Sequence, residues 1–296
     1  MAQIRFSIII VSYKKIDIVI DCINSIFKHN DIDDRLEVIL VDNSPGHNVY
    51  EAVMAKFDSV IGIKNENTGF GAGNNLGASR ASGEYVLFLN PDTILVEPVL
   101  GFAVQKFQEN SRLALFGLKL ININMTRNMS MYFINGGGIL SAIATKLCNA
   151  FDIYIDGYMY VSGANMFVRH SDFIESGQFD ENIFMYYEEP DLTLRLRQIN
   201  KSTAYFKEKR IIHLEGGTSS DEKLALSRRI EAAIYYCRKY KFSPEALLTR
   251  ELRLNYLKRF IYKITLNSKS ESVDSTIDLL KENLHKIRKV SAADNI

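Results

Sequence analysis

Five short runs of Ile, Val, Leu and Phe, at residues 6–13, 36–42, 59–65, 84–90 and 113–121, constrain this chain most. The first, FSIIIVSY, shows no polar alternation, so as a strand it must be covered on both faces. Between the first two runs, Ile16, Val19, Ile20, Ile23, Ile26 and Phe27 recur at helical spacing. Strands joined by helices in this way form right-handed βαβ crossovers around a mostly parallel sheet flanked by helices. The expected fold class is α/β.

Each of four predicted strands ends in polar residues. Ser12 and Tyr13 follow the first, Asp42 and Asn43 the second, Asn65 to Asn75 the third, and Asn90-Pro91-Asp92 the fourth. In an open parallel sheet the carboxyl ends of the strands line one crevice, and ligands bind there. Any one of these loops could be an ordinary turn, since Asn, Asp, Gly and Pro are turn residues. Four together point to a site.

Composition narrows the function. With 47% hydrophobic residues the 296-residue chain is not disordered, and its net charge of +1 gives no global case for nucleic-acid binding. Cys22, Cys148 and Cys237 are isolated from one another, which argues against a disulfide framework or a zinc site. The opening MAQIRFSIIIVSYKK lacks the layout of a signal peptide, and no apolar stretch is long enough to span a bilayer. A cytoplasmic location follows as the expectation, with attachment to the inner face of the membrane left open.

Residues 122–160 are weakly periodic and include Gly136-Gly137-Gly138, which reads as a flexible connection. Strong order resumes with YVSGANMFV at 160–168, read as one strand. The acidic cluster Glu188-Glu189-Pro190-Asp191 then opens an amphipathic helix bearing Leu192, Leu194, Leu196 and Ile199. Acids and proline both suit a helix N-terminus, so capping is the plain alternative to catalysis.

The 65–85 loop contains Gly69-Phe70-Gly71, but Asn74 stands where a dinucleotide fingerprint has its third glycine, so a Rossmann site is rejected. The glycines are expected to let backbone approach a ligand, with Asn67, Asn74 and Asn75 supplying hydrogen bonds. Asp92 ends Asn90-Pro91-Asp92, and one carboxylate suffices for Mg2+ or Mn2+ when the substrate's phosphates complete the shell.

The ordered series SIIIVSYKK, VDNSPG, NENTGFGAGNNLGASRASGEYVLFLNPDT, SGANMFVRHSDFIESGQFDENIFMYYEEPDLTLRLRQ and HLEGGTS resembles the family-2 glycosyltransferases over residues 5–240. Within them it is most similar to the rhamnosyltransferase-like branch that builds bacterial surface polysaccharides such as O-antigen. The resemblance implies a GT-A fold and inverting, metal-assisted transfer from a nucleotide-diphosphate sugar, dTDP-rhamnose being the branch-level expectation and UDP- or GDP-sugars the open alternatives. The acceptor would be a saccharide or lipid-linked saccharide. Asp42 matches the acid that contacts the nucleobase, and Ser12 and Tyr13 match the rest of the nucleotide pocket. Asn90 and Asp92 stand in place of the D-x-D motif, with Asp92 the metal ligand and Asn90 a contact to ribose or phosphate. Glu189 occupies the position of the catalytic base, where the family usually has Asp, and Asp191 is a competing candidate. His213 matches a histidine that approaches the metal or diphosphate, and a structural histidine is its alternative.

The chemistry of the residues agrees with that likeness. In a single displacement a carboxylate takes the acceptor's hydroxyl proton as general base, and a second acid serves the metal. Two carboxylates also suit a glycosidase. The nucleotide-pocket residues favour transfer. A sugar nucleotidyltransferase would want glycines after the first strand, and VSYKKIDIV has none. A non-catalytic saccharide-binding scaffold with the same fold is the remaining alternative.

The charge balance hides an asymmetry. Residues 223–269 carry 12 Lys and Arg against three Glu, interleaved with apolar residues at helical spacing. Such a segment reads either as a core-packing helix pair with a solvated basic face or as a contact to an anionic membrane surface. The expected plan is a catalytic domain over 1–220, its nucleotide-sugar part at about 1–120 and acceptor part at about 121–220, then a basic helical extension over 221–296 with a frayed end at KVSAADNI. A homodimer is compatible with this plan.

Overall fold

The computed structural model describes residues 6–214, 222–265 and 270–293. The first elements are β1 (Phe6–Ser12), α1 (Ile16–Lys28), β2 (Leu36–Asp42), α2 (Asn48–Met54), β3 (Val60–Lys64), α3 (Phe70–Ala78) and β4 (Tyr85–Leu89). Next come β5 (Thr93–Leu95), α4 (Leu100–Glu109), β6 (Leu113–Ile121), β7 (Met131–Phe133), α5 (Gly138–Phe151), β8 (Met159–Val161) and β9 (Asn165–Arg169). The chain continues through α6 (His170–Glu175), α7 (Glu188–Gln198), β10 (Ser202–His213), α8 (Glu222–Lys239), α9 (Pro244–Ile264) and α10 (Ser270–Ala293).

Eight strands form one mixed sheet in the order β3-β2-β1-β4-β9-β6-β10-β5. The pairings among β3, β2, β1 and β4, and that of β10 with β6, are parallel. Strand β9 runs antiparallel to both of its neighbours, and β5 runs antiparallel to β10. All five apolar runs are strands, and β1 shows why they lack alternation. Phe6, Ile8 and Ile10 enter the core on one face, where Val19, Ile23 and Ile26 of α1 meet them. Ile9 and Val11 enter the core on the other. Each fully buried Ile contributes about 1.5–3 kcal/mol of burial free energy, so a polar residue on either face would be costly.

The glycines of α3 serve this packing, which differs from their expected role beside a ligand. A Cβ on Gly73 would lie 2.9 Å from Val11, and one on Gly77 would strike Ile9. They let α3 settle onto β1. Gly69 has φ +120°, and a Cβ there would sit 2.5 Å from the Phe184 carbonyl oxygen, so that position admits only glycine.

Three other expectations are corrected. YVSGANMFV is two strands, β8 and β9, broken at Ser162–Ala164, because this stretch turns from the small β7–β8 sheet into the main one. The 122–160 stretch is ordered, holding β7 and α5, and the Asn149 side chain ties the two by accepting from Ser130 N at 2.8 Å and donating to Met131 O at 2.8 Å. Helix α10 extends to Ala293, past the start of the expected frayed end, and residues 294–296 lie outside the described residues.

By contacts the chain divides into two compact units. One comprises Met1–Ile134, Cys148–Phe184 and Glu188–Thr218, and contains the sheet. The other comprises Asn135–Leu147, Met185–Tyr187 and Ser219–Ile296. Its helices α8, α9 and α10 close around Ile230, Leu248, Leu280 and Leu284. Among the described residues no helix is long and apolar enough to cross a membrane.

Candidate active site

The carboxyl ends of β1, β2 and β3 are stitched together. Asn43 N donates to Ser12 O at 3.0 Å and Asn65 N to Asp42 O at 3.0 Å, which extends the parallel ladder beyond the strands. Asp42 is fully buried. Its Oδ1 accepts from Ser12 Oγ at 3.3 Å and Ser44 N at 2.9 Å, and its Oδ2 from Tyr50 N at 2.8 Å. The acid therefore organises the 43–50 loop and the first turn of α2. Asn43 reaches onward to Gly69 O, and Asn65 donates to Asn43 Oδ1 at 2.8 Å. Tyr13 is 40% exposed, with the Lys14 ammonium 4.8 Å from its ring centroid.

The asparagines after β3 diverge. Asn67 is exposed. Asn74 donates to Phe70 O at 3.0 Å within its own helix. Asn75 donates to Phe179 O and Glu181 Oε1 and accepts from Phe179 N at 3.0 Å. Asn75 thus spends both atoms of its amide on the protein, whereas Asn74 is held through its amide nitrogen.

Asn90 and Asp92 lie in a tight turn between β4 and β5, closed by Thr93 Oγ1 donating to Asn90 O at 2.7 Å. Strand β10 pairs with β5 so that His213 lies opposite Thr93. That register brings His213 Nε2 to 3.3 Å from Asp92 Oδ1, with both side chains largely buried. Adjacent ligands of an octahedral ion with bonds of about 2.1 Å are about 3 Å apart, so the pair fits two neighbouring positions of a Mg2+ or Mn2+ shell. Among the described residues no third His, Cys, Asp or Glu joins them. A diphosphate would have to complete the shell. Cys22 lies beneath this turn, fully buried, and burial pushes its thiol up to about 12, so it stays protonated.

The acidic cluster opens α7. The two tyrosines before it, Tyr186 and Tyr187, have φ of 71° and 72°, left-handed backbone at two bulky side chains. Such conformations cost about 1–2 kcal/mol per residue. Glu189 is half-buried and its Oε1 accepts from Gly163 N at 3.1 Å. A Cβ on Gly163 would lie 2.5 Å from that oxygen, so the missing side chain is what admits the carboxylate. The next residue, Ala164, accepts from Asn90 N at 3.0 Å. One turn thereby joins Glu189 to the Asn90–Asp92 turn. Burial raises the pKa of the Glu189 carboxyl, against the opposing pull of backbone N–H groups including that of Gly163.

Glu188 was not singled out by the sequence. It is 2% exposed, and its Oε1 has no hydrogen-bond partner among the described residues. Burial, and then the neighbouring Glu189 charge, hold its carboxyl well above the usual carboxylate range. Its place among the three acids of Glu188-Glu189-Pro190-Asp191 was the one signal available. Asp191 is fully buried, and its Oδ2 accepts from Arg195 Nε at 2.9 Å and Nη2 at 2.7 Å. Arg195 also donates to Ser176 O at 2.6 Å, so this ion pair fixes α7 to the turn after α6.

Comparison with known proteins decides the family. The model for "Glycosyl transferase family 2" matches residues 7–177, more than half of the chain. The chain belongs to glycosyltransferase family 2. Rhamnosyltransferase WbbL of Escherichia coli (strain K12) is 27% identical over 192 residues, covering 60% of this chain and 72% of WbbL. Among solved structures, the mannosyltransferase PcManGT from Pyrobaculum calidifontis, in complex with GDP-Man and Mn2+, superposes with a TM-score of 0.57 at 11% identity, covering 98% of this chain and 79% of that one. S. aureus TarS gives 0.53 at 17% identity over 79% of this chain, which spans 40% of the length of TarS. Both are GT-A glycosyltransferases, and the curled, mostly parallel sheet with its flanking helices is a GT-A fold.

Proposed function

We propose that this glycosyltransferase inverts the sugar it transfers, taking it from a nucleotide-diphosphate donor to a hydroxyl of a saccharide or lipid-linked saccharide. The observation that carries the reading is the placement of Glu189. A carboxylate gripped by Gly163 N–H sits one turn away from the Asn90–Asp92 turn, so a base and a diphosphate-handling acid belong to one site.

The nucleotide would lie across the ends of β1 to β3. Tyr13 offers an exposed ring for a base to stack on, and Lys14 adds a cation beside it. Ser12 and Asp42 shape the floor of that pocket, and Asp42 acts chiefly by holding the 43–50 loop. Asn67, exposed, and Asn90, half-buried, would meet ribose or phosphate. Asp92 and His213 would hold Mg2+ or Mn2+, as the Mn2+ in the PcManGT complex suggests. That ion, when bound, neutralises charge on the leaving diphosphate.

Glu189 is the base. Its raised pKa brings proton affinity closer to neutral pH, where a general base works best, while the Gly163 N–H keeps a share of it ionised. Asp191 is unsuited to that task because Arg195 neutralises it in a buried pair. Rhamnose is the favoured sugar on the likeness to WbbL.

Contact with an anionic membrane surface fits the helical unit. Leu257, Phe260, Ile261 and Ile264 of α9 are exposed on one side of the helix, with Arg253 among them and Lys263 beside them. Leu140, Ile143, Leu147 and Phe151 form a second exposed stripe, along α5.

The test is release of nucleotide diphosphate from dTDP-rhamnose, with UDP- and GDP-sugars compared by thermal shift and Mg2+ or Mn2+ present. Asp92→Ala and Glu189→Gln are each expected to reduce turnover by at least about a hundredfold. Full turnover in both would refute the assignment, and no donor consumption by the native chain would favour a scaffold.

A further inference from the structure

A groove of about 550 Å3 lies within the helical unit, between α8, α9 and α10. Three cations line it, Lys223 and Arg229 from α8 and Lys258 from α9, against one carboxylate, Glu251. Glu251 already accepts from Gly138 N at 3.2 Å, which takes up part of its charge. Lys223 shares its field with Glu282. Arg229 and Lys258 are exposed and have no carboxylate partner among the described residues. Leu226, Val273 and Leu279 add apolar lining, beside the polar Asn255 and Thr276.

Helical spacing explains the arrangement. Glu251, Asn255, Lys258 and Tyr262 occupy one side of α9, opposite the exposed Leu257, Phe260 and Ile264. The groove is therefore separate from the exposed apolar side of α9. Cations gathered around one concavity repel each other, and an anion relieves that repulsion. An arginine beside lysines suits a phosphate, which the guanidinium can grip with two N–H groups. The volume falls in the range of about 300–1,000 Å3 typical of small-molecule sites, far more than inorganic phosphate fills. Apolar side chains lining the same groove as the cations ask for an organic body attached to the charge.

We propose that the α8–α9–α10 groove binds a phosphate ester with an organic body, drawn either from a lipid phosphate or from a soluble metabolite. This site requires neither the donor nor turnover in the sheet unit.

Calorimetric titration of the full chain tests it, run in chelator so that no metal-dependent donor binding contributes. The probes are glycerol 3-phosphate, dihexanoyl phosphatidic acid below its micellar concentration, and dihexanoyl phosphatidylcholine as the zwitterionic control. The expected result is binding of a phosphate-ester probe that weakens at least about tenfold in Arg229→Ala/Lys258→Ala and with rising salt, while Arg229→Lys/Lys258→Arg retains it. Tighter binding of the phosphatidic acid identifies a lipid source, and equal binding of glycerol 3-phosphate a soluble one. Both residues are exposed, so the alanine variant should keep its circular dichroism and melting temperature. Absence of binding, equal binding by the alanine variant, or equal binding of phosphatidylcholine would overturn the proposal.

Discussion

Replacing Gly163 by alanine tests Glu189 as the proposed base without touching that carboxylate itself. The added methyl would lie 2.5 Å from Glu189 Oε1, whereas an ordinary contact begins near 3.4 Å. The carboxylate must retreat by about 0.9 Å and lose part or all of its bond from Gly163 N, now 3.1 Å. The clashing atom is the tip of a flexible side chain, and Gly163 is not among the residues with positive φ, so folding should lose no more than about 1 kcal/mol. Catalysis should lose far more. A misplacement near 1 Å costs about a hundredfold in rate, or about 2.7 kcal/mol of transition-state stabilisation. Steady-state release of nucleotide diphosphate gives kcat and KM, and urea unfolding gives the stability. The expected pattern is a fall in kcat near a hundredfold, donor KM within about threefold, and an almost unchanged urea midpoint. A Gly163→Ala enzyme with native kcat would show that the Glu189 position does not limit the chemistry, and the argument for it as base would collapse.

Glu188→Gln should make the protein more stable at neutral pH. Burial raises the Glu188 pKa above 4.5 in the folded state, so the native carboxyl adds stability below the unfolded pKa and loses it as pH rises through the folded one. The melting-temperature gap between variant and native chain should therefore widen from pH 4 toward pH 8, and a flat gap would contradict it. Arg195→Met strips buried Asp191 of the guanidinium it is ion-paired with, so urea unfolding should show a loss of about 3–5 kcal/mol, and a loss under about 1 kcal/mol would show the pair to be dispensable. Turnover of Glu189 chemistry should also carry a pH signature. The acidic limb of kcat/KM should have its midpoint above 4.5, in keeping with the raised pKa, and Gly163→Ala should shift it further upward by weakening a bond that favours the ionised form.

Much of the sheet unit was legible from local pattern. An unbroken apolar run such as FSIIIVSY can only be a strand covered on both sides, and the structure seats Ile8 and Ile9 in opposite cores. The polar residues that close β1 and β2 could be placed because a parallel sheet puts like ends together. Strand β10 carries Lys207, Glu208, Lys209 and Arg210 in its middle, which hide its period from the sequence pattern. Its partner β5 is only three residues long. The meeting of His213 with Asp92 depends wholly on that pairing.

The sequence by itself determined the family, the α/β alternation and the residue types at the strand ends, because hydrophobic period and motif order are local properties of the chain. Tertiary structure alone decided which of those side chains the protein itself holds. Asn75 clasps the 179–181 segment, Gly77 admits Ile9, and Asp191 is neutralised by Arg195, while Glu189 is received by a glycine distant in sequence. Side-chain direction and burial depend on contacts between segments far apart along the chain, and only folding brings those segments together.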